Sequence, residues 1–275
     1  MTDQNTLLST NTHTLSDGRT LAYTSGGDPD GFPVVAHHGT PGSRLFAAVL
    51  SEAASEQGVK LIVPDRPGYG RSSSPPSDWT WGDWQEDLTE LLDAASIDRA
   101  AVVGFSGGGP FALAAANSDW ASRLGLVSTV VPPAENGLAT LSKIPFALRI
   151  LFGLSGVLAS VRGPEAVVGQ YTDRSVSEPV SRAIADDFQE ALQQGSAAVA
   201  RENRSFTKDS FESAESSVPM HAWHGSEDEN TPLTPVSELV EASDGTLATS
   251  ETDHLGTLLD CQRDVFEWLT ADRET

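Results

Sequence analysis

Cysteine is nearly absent: Cys261 is the single one in 275 residues, which excludes an intramolecular disulfide and marks a free thiol as core filler. Lysine is almost as scarce, with Lys60, Lys143 and Lys208 the only 3. The 17 Lys and Arg stand against 39 Asp and Glu, a formal net charge of -22. A surface this acidic repels phosphate backbones, so nucleic acid is excluded as a partner. Long apolar runs are missing too. The most apolar stretch, Ile144 to Val161, is broken by Pro145, Arg149, two glycines and two serines, which makes it a poor bilayer span. Met1 to Thr14 has neither the basic start nor the apolar core of a signal peptide. The expectation is a cytoplasmic chain without stable membrane insertion. No internal repeat and no low-complexity linker divides the sequence, and nothing in it indicates an oligomeric state.

What is present suffices for a folded core. Hydrophobic residues make up 39% and charged residues 20%, too apolar for a disordered chain. The acid excess combined with lysine depletion resembles proteins of salt-loving organisms, whose self-repulsion molar salt would screen. Leu15, the turn cluster Ser16-Asp17-Gly18 and Leu21-Ala22-Tyr23 predict a hairpin over Thr14 to Thr24. Short apolar runs follow at Pro33 to Ala36, Leu61 to Val63, Ala100 to Val103, Leu124 to Val131 and Val218 to Trp223, with helical segments between them. One such helix carries Trp84, Leu88, Leu91 and Leu92 on a single face. This alternation predicts an α/β fold: a mainly parallel central sheet with helices on both faces. Between Pro132 and about Phe211 the strand rhythm stops. Residues 133–211 are therefore expected to form an inserted helical cap on a core of residues 1–132 and 212–275.

The chemistry concentrates in a few loops. Gly104-Phe105-Ser106-Gly107-Gly108 follows an apolar run and opens an Ala-rich helix, the strand-turn-helix setting in which G-x-S-x-G lifts a serine hydroxyl into a cleft. A hydroxyl attacks only when a base takes its proton, and the base needs an orienting acid. His221, His224 and His254 follow Ser106; the first two lie in or just beyond the predicted strand Val218 to Trp223, whereas His254 sits in the loop Thr252 to Gly256 before the last helix. Asp228, in the loop after the Val218 to Trp223 strand, is the candidate acid. Its neighbours Glu227 and Glu229, and Asp253 beside the histidine, are read as surface charge. Paired backbone donors for a tetrahedral oxyanion are expected from Gly107 and from Thr40, because Pro41 has no N–H. His38 is read as a loop-shaping residue. Phe105 and the cap residues Phe146, Leu151 and Phe152 are candidates for substrate binding.

His38-Gly39-Thr40-Pro41-Gly42-Ser43, Asp65 to Ser72, the elbow around Ser106, Gly225 to Asp228 and His254 together resemble the α/β-hydrolase fold family over nearly the whole chain apart from the cap. The resemblance implies a serine hydrolase with the triad Ser106, Asp228 and His254, no metal and no organic cofactor, and a small-molecule substrate with an ester or related carbonyl. It also implies structural roles for Asp65 and Arg66. Family members that attack with aspartate, the dehalogenases and epoxide hydrolases, are disfavoured by Ser106. Prolyl aminopeptidases share the His38 to Gly42 pattern, although they usually carry glycine where Thr40 stands. Carbon-carbon bond hydrolases, lactonases and perhydrolases would use the same triad, and a non-catalytic small-molecule receptor could keep the fold.

Overall fold

A computed structural model of the chain describes residues 8–134, 163–208 and 216–271. The hairpin forms from β1 (Ser9–Thr14) and β2 (Thr20–Gly27), closed by the expected turn, in which Gly18 has φ +88. The remaining strands are β3 (Phe32–His37), β4 (Val59–Pro64), β5 (Ala100–Phe105), β6 (Ala121–Val127), β7 (Met220–Gly225) and β8 (Thr246–Ser250). They form one eight-stranded sheet in the order β1-β2-β4-β3-β5-β6-β7-β8. The hairpin pairs antiparallel with the rest through β2 and β4, and every later pairing is parallel.

Helices cover both faces. On one, α2 (Trp81–Ala94) buries Trp84, Leu88, Leu91 and Leu92 in a cluster that also takes Phe111 of α3 (Gly109–Ala115) and Val236 of α7 (Leu233–Ala242). On the other, α1 (Ala47–Glu56) and α8 (His254–Leu269) contribute Leu50, Leu258, Val265 and Phe266. Each of these large side chains stabilises by about 1.5–3 kcal/mol on burial. Trp84 also places its indole N–H on His37 Nε2 at 3.1 Å, which gives a buried polar pair its partner. Cys261 lies in the second cluster, where burial pushes its thiol up to about 12, as suits core filler.

Two strands differ from expectation. β6 begins and ends earlier than the apolar run Leu124 to Val131, because Ser128 turns out of the sheet at φ +43 and Val130 N–H bonds the Ser106 carbonyl at 3.0 Å. The apolar character of Val130 and Val131 thus serves packing behind the elbow. β8, Thr-Leu-Ala-Thr-Ser, has no apolar run to announce it, being a largely exposed edge strand. Within residues 133–211 the described residues carry three helices, α4 (Pro164–Val168), α5 (Glu178–Ala191) and α6 (Ala197–Lys208), joined by turns. Phe146, Leu151 and Phe152 lie outside the described residues.

The sheet topology itself locates a cleft. From β3 the chain moves outward to β4, then returns to place β5 on the other side of β3, and ligands bind beyond the carboxyl ends of strands at such a switch point. The loops after β3 and β5 are His38 to Ser43 and the Ser106 elbow; those after β7 and β8 carry Asp228 and His254.

Candidate active site

Ser106 stands on the first residue after β5, at φ +54, a left-handed conformation that costs a non-glycine residue on the order of 1–3 kcal/mol. The surrounding glycines make the turn possible. A Cβ on Gly104 would lie 2.6 Å from the Gly108 carbonyl oxygen, and one on Gly108 would lie 2.4 Å from that of His37. The backbone therefore folds tightly beneath the serine, and Ser106 itself is half-buried.

Asp228 and His254 meet directly: His254 Nδ1–H donates to Asp228 Oδ2 at 2.8 Å. Both side chains are buried, at 0% and 2% exposure. The other carboxylate contacts come from the following turn. Oδ1 accepts the N–H groups of Asn230 at 2.8 Å and Thr231 at 2.9 Å, and Oδ2 accepts the Thr231 hydroxyl at 2.8 Å. Burial opposes the charge, but the hydrogen bond and charge of His254, with the Thr231 donors, outweigh it and hold the Asp228 carboxyl down at about 2. With its Nδ1 proton committed to Asp228, the imidazole presents Nε2 as a proton acceptor. Glu227 and Glu229 are exposed. His224 is buried, with its Nε2 on the Thr231 carbonyl at 3.0 Å.

Two details depart from the sequence reading. His254 is the first residue of α8 rather than a loop residue. Asp253, expected as surface charge, is the half-buried N-cap of that helix: its Oδ1 accepts Gly256 N–H at 2.8 Å and its Oδ2 accepts the Thr172 hydroxyl at 2.6 Å. A helix start needs such an acceptor, so the acid beside His254 has a capping role that surface-charge reasoning overlooked.

Thr40 and Gly107 adjoin. A Cβ on Gly107 would stand 2.2 Å from Thr40 Oγ1 and 3.3 Å from its amide nitrogen, so only glycine lets the two backbones come this close. His38 is buried, with Nδ1 donating to the Gly39 carbonyl at 2.9 Å and Nε2 accepting Arg66 N–H at 3.3 Å. Burial, with the adjacent Arg66 charge, pushes its imidazole well below the usual range, and both nitrogens are engaged in shaping the loop. Asp65 likewise receives Arg44 N–H at 2.6 Å and Arg71 N–H at 2.8 Å.

Ser106 opens on a pocket walled by Phe46, Phe105, Tyr171, Ile184, Phe188 and Leu255. The Phe105 ring stacks on Phe46 at 5.8 Å and lies 5.0 Å from the His254 ring. Among the described residues the pocket wall also includes the carboxyl of Asp187 of α5, whose Oδ1 accepts Ser43 N–H at 2.8 Å and the Ser43 hydroxyl at 2.7 Å. Burial pushes Asp187 up to about 7 despite these donors. Asp187, Thr231 and Tyr171 were not singled out by sequence: each lies in a helix or turn with no motif. Among the described residues no group of three or more His, Cys, Asp and Glu side chains could hold a metal ion, and no helix is long and apolar enough to cross a membrane.

The fold and this loop arrangement define an α/β-hydrolase-fold protein. Residues 33–140 match the family model described as alpha/beta hydrolase fold. The chain is similar to a non-heme chloroperoxidase of Streptomyces lividans, 35% identical over 124 residues, which cover 44% of this chain and 45% of that protein. The match thus spans less than half of that relative's length. In three dimensions it is similar to a hydrolase from Pseudomonas aeruginosa PA01, with a TM-score of 0.73 at 20% identity over 97% of this chain and 98% of that one. An esterase from Exiguobacterium antarcticum superposes with a TM-score of 0.70 at 19% identity, over 96% and 99%. These likenesses establish the fold.

Proposed function

We propose that the chain is a serine hydrolase acting on carboxylic esters. The observation that carries this reading is the buried 2.8 Å bond between His254 and Asp228, at the same sheet end as the strained Ser106 elbow. In the reaction, Ser106 Oγ attacks the ester carbonyl carbon while His254 Nε2 takes its proton, and Asp228 stabilises the imidazolium. The oxyanion of the tetrahedral intermediate accepts hydrogen bonds from the backbone N–H groups of Thr40 and Gly107. Collapse expels the alcohol with the proton from His254. Water then attacks the acyl-enzyme, with His254 again as base. The chemistry calls for no cofactor.

The aromatic and aliphatic pocket wall favours an apolar acyl group. An aminopeptidase would need a carboxylate for the substrate ammonium. Among the described residues Asp187 is the carboxyl in the pocket wall, but burial disfavours its charge and Ser43 already occupies one oxygen, which favours the ester reading.

Fluorophosphonate labelling followed by a screen of nitrophenyl esters, lactones and proline amides tests the proposal. Ser106→Ala should abolish labelling and lower ester turnover by roughly three or more orders of magnitude. Near-normal turnover in that variant refutes the mechanism, and a parent protein that binds esters without being labelled is a receptor.

A further inference from the structure

The loop that carries Thr40 is gripped by one fully buried arginine. Arg66 Nη1 donates to the His38 carbonyl, and Nη2 reaches the Gly39 carbonyl at 3.0 Å and the Thr40 hydroxyl at 2.8 Å. The same guanidinium pairs bidentately with Glu202 of α6, Nε to Oε1 at 2.9 Å and Nη2 to Oε2 at 2.9 Å. Glu202 is 3% exposed. Its Oε2 also accepts the Tyr69 hydroxyl at 2.8 Å and the Thr40 hydroxyl at 2.9 Å. The Thr40 hydroxyl therefore accepts from the arginine and donates to the glutamate, which fixes its side-chain rotamer from both sides. That fixed hydroxyl is the atom a Cβ on Gly107 would meet at 2.2 Å.

Stability alone is a weak explanation for such a pair. Buried ion pairs are often no better than well-packed apolar residues of the same volume, because desolvation offsets the attraction. What the pair does supply is geometry, since a planar guanidinium bonded to three successive loop residues leaves the loop few alternative conformations.

We propose that Glu202 and Arg66 are positioning residues for the oxyanion hole: they lock the Thr40 side chain, and through it the Thr40 backbone N–H, where the tetrahedral oxygen forms. Docking of α6 thereby completes the hole. The proposal rests on the ester-hydrolase reading. It explains why a residue of the inserted segment points away from the pocket wall and into the loop after β3.

Thr40→Val keeps the shape and the backbone N–H but removes both side-chain bonds. Because a misplaced oxyanion donor loses most of its effect, kcat on a nitrophenyl ester should fall roughly ten- to a hundredfold with KM changed less than about threefold. Affinity for an aryl trifluoromethyl ketone, whose adduct places an oxyanion in the hole, should fall by a similar factor. Thr40→Ser should restore most of the lost kcat, and Glu202→Gln should lower kcat in the same direction. Ser72→Ala is the stability control: it removes a buried hydroxyl that bonds Ala22 N–H at 2.9 Å and the Asp65 carbonyl at 2.8 Å, and should lower the melting temperature without moving kcat. A Thr40→Val enzyme that melts lower but keeps its kcat and ketone affinity overturns the proposal. If Thr40→Val does not fold, an undiminished kcat in Glu202→Gln overturns it instead. Retained turnover in Ser106→Ala would overturn the hydrolase reading as a whole, whereas a labelled Ser106 with an indifferent Thr40→Val removes only the positioning role.

Discussion

The two sides of the cleft are held in different ways. Asp228 receives its donors from Asn230 and Thr231, two and three residues along the chain, and His254 is 26 residues away. Thr40, on the opposite side, bonds Glu202 across 162 residues, and Arg66 reaches the same carboxylate across 136. One side is a largely self-contained turn, whose carboxylate takes its hydrogen bonds from its neighbours in sequence and from the start of α8. The other depends on α6, in the segment inserted between β6 and β7 in the chain. Changes in that segment should therefore reach the Thr40 side and leave the acid and histidine in place. The carboxyls differ in the same manner. Asp228 is held down at about 2 by its donors, while Asp187, in the apolar pocket wall, is pushed up to about 7 by burial.

The largest expected effect breaks the self-contained side. Asp228→Asn should lower ester turnover by roughly four orders of magnitude, since only a carboxylate fixes the Nδ1–H tautomer and stabilises the imidazolium. Glu227→Gln and Glu229→Gln, both exposed, should stay within about twofold of the parent. Turnover on any accepted ester ranks the three. A Glu227→Gln variant more damaged than Asp228→Asn would place the acid one residue earlier.

The contrast between the carboxyls appears next, in stability against pH. Asp187 has its folded-state pKa above the ordinary 3.8, so its ionisation penalises the folded state. The penalty is absent below about pH 4, grows toward pH 7 and is constant above, with an upper bound of about 4 kcal/mol. Asp187→Asn should flatten the fall in melting temperature across that window; an unchanged slope would mean that the group stays charged in both states. Asp228 works the other way. Its stabilisation is complete above the unfolded value near 3.8 and is lost as pH falls toward about 2, so Asp228→Asn should shorten the acid limb of the same curve.

These differences track what the sequence makes visible. The Ser106 elbow announces itself because its constraint is local: glycines within two residues are needed where an added Cβ would come within 2.6 Å of a backbone carbonyl oxygen. Asp228 and His254 stand out as candidates from chain order, Asp228 in the loop after an apolar strand and His254 just ahead of the last helix. Nothing local marks Glu202, because its partners lie in a loop more than a hundred residues earlier and a lone glutamate between Arg201 and Arg204 looks like part of a solvated charged face. β8 is hidden for a related reason: an exposed edge strand needs little apolar content. The misplaced end of β6 shows a third case, in which apolar residues pack against a turn rather than extend a strand.

Asp253 offers the smallest effect and the sharpest limit on the contrast, because it ties the self-contained side to the inserted segment through Thr172. Its Oδ1 caps α8 at Gly256 N–H, while Leu255 N–H bonds the Tyr171 carbonyl at 3.0 Å, so His254 sits between a cap and a cross-link. Asp253→Ala should cost about 1 kcal/mol of stability from the lost cap. Asp253→Asn, which can still accept from Gly256, should recover most of it. The effect on turnover decides how independent the histidine is. If Asp228 alone orients the imidazole, turnover should fall no more than about threefold in Asp253→Ala, with KM rising little. A fall of a hundredfold at a temperature where the variant remains folded would show that the start of α8 places His254 as much as the carboxylate does, and that both sides of the cleft lean on the inserted segment.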